Sequence, residues 1–235
     1  MTETANPGEV NFLTDIETDD ANDDDSESIE GIHQRLADRD LSPQAHYVDQ
    51  GYVSGANLAH SAKRGVDLRG PIAQDSSSKP AGFKQADFAI DLEQQVATCP
   101  NGQTSVSWLP RPQSDGRVGA HVLFRHKCDG CPYRALCAPG KSGRSLEVSP
   151  YCQEIAARRQ EAQTAAFKED MKHRPAIEGT LSELVRRHGF RRARYRGKDK
   201  VRLQHLFTGA AVNLKRLIYA LAAQHKAQRT MATGC

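Results

Sequence analysis

The hydrophobic periodicity of this 235-residue chain changes twice, and each change limits the fold. Through residue 73, short strand-like runs alternate with runs of helical spacing. Asn11–Ile16 reads as a strand, Ser28–Arg39 as a helix with Ile29, Ile32 and Leu36 on one face, and His46–Asp49 as a second strand. Ser54 suits the cap of a helix that carries Leu58 and ends at Gly65, and Val66–Pro71 reads as a third strand. Strands alternating with helices predict a three-layer α/β core. From Gln74 to about Pro150 short alternating runs, such as Phe88–Ile90 and Val118–Phe124, stand among Ser, Pro and Gly. This stretch is too apolar for a linker and predicts a β-rich insertion.

From Tyr151 onward the period is helical. One helix is predicted over Gln153–Lys172. Pro175 opens a second, expected to bury Ile177, Leu181, Leu184 and Val185 and to stop at Gly189. The last carries Leu203, Leu206, Phe207, Ala210, Leu214, Leu217, Ile218 and Leu221 at constant helical spacing, and this stripe is expected to be core. The resulting division is 1–73 as a partial α/β core, 74–150 as the insertion, and 151–235 as helices that complete the core.

Charge is distributed unevenly. Residues 1–40 carry thirteen Asp and Glu against Arg35 and Arg39, so the remainder carries +14 within a net charge of +3. Between Arg174 and Arg202 ten Arg and Lys face only Glu178, Glu183 and Asp199. A field of +7 over twenty-nine residues calls for a polyanion. No apolar run approaches the ~20 residues that span a bilayer, and the N-terminus lacks the basic-then-apolar order of a signal peptide. The expected location is therefore cytoplasmic, with no membrane partner.

Two carboxylates stand out. Asp49 lies at the C-terminal end of a predicted strand, where open α/β sheets present functional groups, and it also suits a turn that caps its own backbone. Glu178 lies one helical turn after Arg174, so it reads either as an i,i+4 ion pair or as a metal ligand. Taken together on an α/β core beside a basic helix, they match the needs of Mg²⁺-dependent phosphoryl transfer, because this hard cation prefers carboxylate oxygens.

Of the six cysteines, Cys99, Cys128, Cys131 and Cys137 fall in Gly/Pro turns at spacings that suit a tetrahedral zinc site, or they are ordinary reduced thiols. Cys152 and Cys235 stand apart. The acidic run Asp19–Asp25 lacks the central Gly and terminal Glu of a calcium loop and reads as a solvated helix start. Trp108 reads as core of the strand-rich module.

His46-Tyr-Val-Asp-Gln-Gly-Tyr52 and His173-Arg-Pro-Ala-Ile-Glu-Gly-Thr180 resemble the second and third acidic motifs of insertion-sequence transposases of the DDE type. Gly189-Phe-Arg-Arg-Ala-Arg-Tyr-Arg-Gly197, Lys200, Leu203-Gln204 and Ala211-Val-Asn-Leu-Lys-Arg216 extend the similarity, which runs from Thr2-Glu-Thr4 to Leu221. The resemblance implies a ribonuclease-H-like core interrupted before its helical Glu. It implies that Asp49 and Glu178 hold Mg²⁺ that polarises a scissile phosphate, while water and later a DNA 3′-hydroxyl attack in line. Arg174 would steady Glu178 or contact phosphate, with Arg191, Arg192, Arg194, Arg196 and Lys200 on transposon-end or target DNA, in a chain that could act as a homo-oligomer.

Two departures qualify this expectation. Met171 stands where the family usually has Tyr, three residues before the Arg. The first catalytic Asp of the family lies on an earlier strand, and Asp15, Asp19 and Asp20 follow what reads as a later one. The chain is therefore expected to be the C-terminal part of a transposase, with an incomplete core and no activity alone. Two alternatives stay open: a non-catalytic DNA-binding or regulatory remnant with a zinc module, and a nuclease or resolvase on the same core.

Overall fold

The computed structural model describes residues 1–232 other than Pro7, Ala21, Ser76 and Ser114. Cys235 lies outside the described residues. In chain order the elements are β1 (Thr2–Glu3), β2 (Leu13–Asp15), α1 (Ser28–Ala37), β3 (Ala45–Tyr47), α2 (Gly55–Lys63) and β4 (Asp67–Arg69). Then come β5 (Ala89–Asp91), β6 (Val96–Thr98), β7 (Ser107–Pro112), β8 (Val118–Leu123), α3 (Arg134–Cys137) and β9 (Ser145–Val148). The helices α4 (Cys152–Glu161), α5 (Ala165–Asp170), α6 (Ala176–His188) and α7 (Lys198–Ala232) follow. No helix among the described residues is long and apolar enough to cross a membrane. The chain divides into one unit of residues 1–52, 60–70 and 165 onward, and a second of residues 53–59 and 71–164.

The strand–helix alternation is present. β3 and β4 pair in parallel, with His46 opposite Leu68 and Tyr47 opposite Arg69, and α2 lies between them in sequence, the connection a parallel pair requires. The Ser54 hydroxyl accepts the Asn57 N–H at 3.1 Å, as its capping chemistry predicts. β1 and β2 pair antiparallel as a separate sheet. Strands of two or three residues give two small sheets, and the continuous sheet expected of a three-layer core is not formed among the described residues. Ile29, Ile32 and Leu36 of α1 are buried, as their spacing predicts.

The packing of α7 departs from expectation. The face that meets the core carries Gly209 and Val212, against Leu13 and Ile16 of the β2 segment and Leu184 of α6. A side chain at Gly209 would put its Cβ 2.4 Å from Ile16 Cδ1, so glycine sets the closeness of the approach. Asn213 fastens it: its Oδ1 accepts the Leu13 N–H and its Nδ2 donates to the Leu13 carbonyl, both at 2.8 Å. Arg216 donates to Glu3, to the Asn11 carbonyl and to Thr180. The predicted stripe, including Phe207 and Leu214, lies instead on the exposed side of the helix. Leu181 of α6 is exposed as well, whereas Leu184 is fully buried and Gly189 ends α6 in the left-handed conformation, φ 63°.

The helix expected over Gln153–Lys172 is broken. The Thr164 hydroxyl and N–H both donate to the Glu161 carbonyl, which closes α4 before α5 begins at Ala165.

In the second unit β5 and β6 form a hairpin, and β7, β8 and β9 an antiparallel sheet. Its core is Phe88, Ala97, Ala120, Val122, Phe124, Leu146 and Val148, with Phe88 and Phe124 edge to face at 5.5 Å. Trp108 packs partly buried against this cluster.

Candidate active site

Asp49 follows the end of β3 and starts a tight turn in which the Tyr52 N–H donates to the Asp49 carbonyl. Glu178 sits in the first turn of α6, where the helix dipole favours an acid. Arg174 stands two residues before that helix, with Pro175 between them. Its guanidinium donates to Asp49 Oδ1, with Nε at 2.9 Å and Nη2 closer, and Nη2 also reaches Glu178 Oε1 at 3.5 Å. Two carboxylates 129 positions apart in sequence thus converge on one cation. Both are mostly exposed, at 64% and 65%, so the guanidinium holds them together in a position open to a large substrate.

A second network, which sequence patterns did not disclose, fixes the frame of this triad. The Tyr47 hydroxyl donates to Asp170 Oδ1 at 2.8 Å, and Arg69 is paired with Asp170 and with Asp67. Burial, followed by the hydrogen bond to Asp170, pushes the Tyr47 phenol up to about 12. Burial opposes ionisation of Asp170, but the bonds from Tyr47 and Arg69 outweigh it and hold the carboxyl below its ordinary value. The end of α5, four residues before Arg174, is thereby tied to β3 and β4, just ahead of Asp49. Only Tyr47 belongs to a motif visible in the sequence.

Part of the basic tract and its surroundings is paired within the chain. Glu183 is bonded to Lys215 at 2.8 Å, which with Arg216 holds its carboxyl below the ordinary value, and Lys198 faces Asp19, Asp20 and Asp23. That contact gives the acidic N-terminal run a cationic partner within the chain. Arg191, Arg192, Arg194, Arg196 and Lys200 are exposed. The loop that carries the arginines is held from α7, since Gln204 accepts the Arg194 N–H and donates to the Arg192 carbonyl. A backbone held in this way presents exposed cationic side chains.

Asp15 is engaged elsewhere, buried beneath Arg35 and Arg39 at 2.8 Å from each. Among the described residues no group of three or more His, Cys, Asp or Glu stands ready to hold a metal ion. Asp49 and Glu178 nevertheless fit Mg²⁺ in their chemistry. They are hard oxygen donors gathered around a positive group, and Mg²⁺ commonly takes one or two carboxylates while keeping waters or accepting substrate phosphate.

In the second unit Cys99, Cys128, Cys131 and Cys137 all line one cavity. Cys152 belongs to α4 and is not among them. Burial pushes the Cys137 thiol up, and the other three cysteines add to the effect.

A family model described as "Transposase DDE domain" matches residues 98–218, just over half of the chain. The match contains Glu178, the basic tract and the four cysteines, and begins after Asp49. No curated protein and no solved structure matches the chain.

Proposed function

The chain belongs to the DDE transposase family, and we propose that Asp49 and Glu178 are two of its catalytic carboxylates, working on DNA that the basic loop holds. The family implies DNA binding, Mg²⁺ use and a transposition-related nuclease chemistry. The observation that supports this assignment is the convergence of Asp49 and Glu178 on Arg174 in an exposed position. When bound there, Mg²⁺ supplies Lewis-acid polarisation of a phosphoryl oxygen and a more acidic water. The chain's own contributions are electrostatic and positional. Arg174 keeps two mutually repelling carboxylates together in the free protein and offers a guanidinium to phosphate when DNA arrives. Arg191, Arg192, Arg194, Arg196 and Lys200 neutralise backbone phosphates without reading sequence.

Two carboxylates are fewer than a two-metal strand-transfer site requires. The described residues of this chain thus bind metal and DNA, while cleavage and joining need a third carboxylate brought to the Asp49–Glu178 pair. The test separates binding from chemistry. Fe²⁺ in place of Mg²⁺, with ascorbate, is expected to cut the backbone near residues 49 and 178, and Asp49→Asn or Glu178→Gln to abolish those cuts. Radical cutting elsewhere, or cutting unchanged in both variants, would remove the metal role. DNA affinity measured across salt is expected to fall steeply, and removal of each phosphate-contacting cation to reduce the log–log slope by about 0.9. Mg²⁺-dependent strand transfer by the purified chain, abolished by Glu178→Ala, would show that the site is already complete.

A non-catalytic DNA-binding protein has its own supporting observation, because Arg174 already satisfies both carboxylates as a structural ion pair would. On that reading Fe²⁺ makes no cut at residues 49 and 178, and DNA binding is unchanged.

A further inference from the structure

The four cysteines of the second unit come from three separate segments. Cys99 follows β6 in a turn closed by the Gly102 N–H to the Cys99 carbonyl, with Gly102 at φ 75°. Cys128 and Cys131 flank a turn through Gly130 at φ 71°, and Cys137 ends α3. All four line one cavity of about 30 Å³. None is in a disulfide.

Two backbone amides are aimed at sulfur. The Gln103 N–H donates to Cys99 Sγ at 3.3 Å, and the Arg144 N–H to Cys128 Sγ at 3.4 Å. The second depends on Gly143, at φ 74°, where an added Cβ would lie 2.6 Å from the Arg125 carbonyl oxygen. The Asn101 side-chain amide approaches Cys131 Sγ at 3.8 Å. Amide donors stabilise a thiolate more than a thiol, as outer-shell partners of metal-bound cysteine do. Lys127, Arg134 and Arg144 also border the cavity and would offset anionic charge.

We infer that Cys99, Cys128, Cys131 and Cys137 form a structural site for one tetrahedral thiophilic divalent cation, zinc above all, in the second unit. Binding converts four thiols and Zn²⁺ into a dianionic tetrathiolate and releases four protons, with no change of oxidation state. Among the described residues no group of three or more Cys, His, Asp or Glu stands at coordinating positions. Coordination therefore requires the ion to draw the four thiols together. The site lies against the core of the unit, since Cys99, Cys128 and Cys137 pack on the cluster that contains Phe88, Val122, Phe124 and Leu146. The site stands independently of the DNA-processing assignment, since it uses neither Asp49 nor Glu178.

The experiment uses the full chain, purified from zinc-supplemented culture and analysed for bound metal. One zinc per chain is expected, with four thiols unreactive toward a thiol reagent until a chelator is added. Cobalt added to the chelator-treated chain is expected to give the intense charge-transfer and visible bands of tetrahedral thiolate coordination. Cys131→Ser should weaken cobalt binding and change the spectrum, whereas Cys152→Ser should leave both unchanged. Because a ligand variant could fail to fold, the unmutated chain decides the matter. Metal-free protein with all thiols freely reactive, a cobalt spectrum without thiolate bands, or paired disulfides among the four would overturn the inference.

Discussion

Lowering the pH from 8 to 5 should destabilise the first unit through one pair of imidazoles. His33, on α1, and His46, on β3, face each other with Nε2 and Nδ1 2.9 Å apart, an arrangement with space for one proton between two nitrogens. Protonating both rings turns the contact into two opposed N–H groups. Burial, then the neighbouring His33, depresses His46 from 6.5 to about 4, and burial and Arg64 lower His33. The sign follows from which state takes up the proton. Between pH 6.5 and about 4 the unfolded imidazole is protonated and the folded one is not. The contribution is thus complete above 6.5 and is lost as the pH falls toward 4. At 1.36 kcal/mol per pH unit the loss from His46 between pH 8 and 5 is at most about 2 kcal/mol. Urea denaturation of the wild type and of His46→Asn at both pH values isolates it, because other carboxylates and imidazoles titrate in both proteins. The wild type should lose about 2 kcal/mol more than the variant over this interval. Equal losses in the two proteins would refute the assignment.

Two further outcomes test the packing of α7. Leu214→Gln, on the exposed stripe, should change stability by less than about 0.5 kcal/mol, whereas Val212→Ala, on the buried side, should cost about 2 kcal/mol; denaturant midpoints distinguish them. Arg216→Met leaves Glu3, which is nearly inaccessible, without its cation and should destabilise by about 3–5 kcal/mol, read as a fall in midpoint at constant slope.

What the sequence disclosed was mainly local. Ser54 at a helix start, Gly189 at a helix end and the spacing of Ile29, Ile32 and Leu36 act through neighbouring residues, and the structure follows them. The stripe on α7 misled for a definite reason: periodicity tells which residues share a face, not which face a neighbour covers. The covered face is made of Gly209, Val212, Asn213 and Arg216, where closeness and paired polar groups outweigh apolar bulk. Likewise, nothing in Gln153–Lys172 breaks a helix by composition, and the break rests on Thr164 capturing one carbonyl. For the candidate site, Asp49, Arg174 and Glu178 were legible as residues, and their convergence was suggested by the motif resemblance. Asp170 was not legible, because its meaning depends on Tyr47 and Arg69, 123 and 101 positions away.

The paired bonds from Asn213 to Leu13 have one more consequence. A single side-chain amide occupies both the donor and the acceptor of that residue, as an adjoining strand would. A two-stranded sheet is a natural template for strand addition by another chain. At Leu13 an incoming strand finds no free main-chain group, and annexing β2 requires first prising away the side chain that also anchors α7. The contact that positions the long helix therefore serves as a guard against edge-to-edge polymerisation.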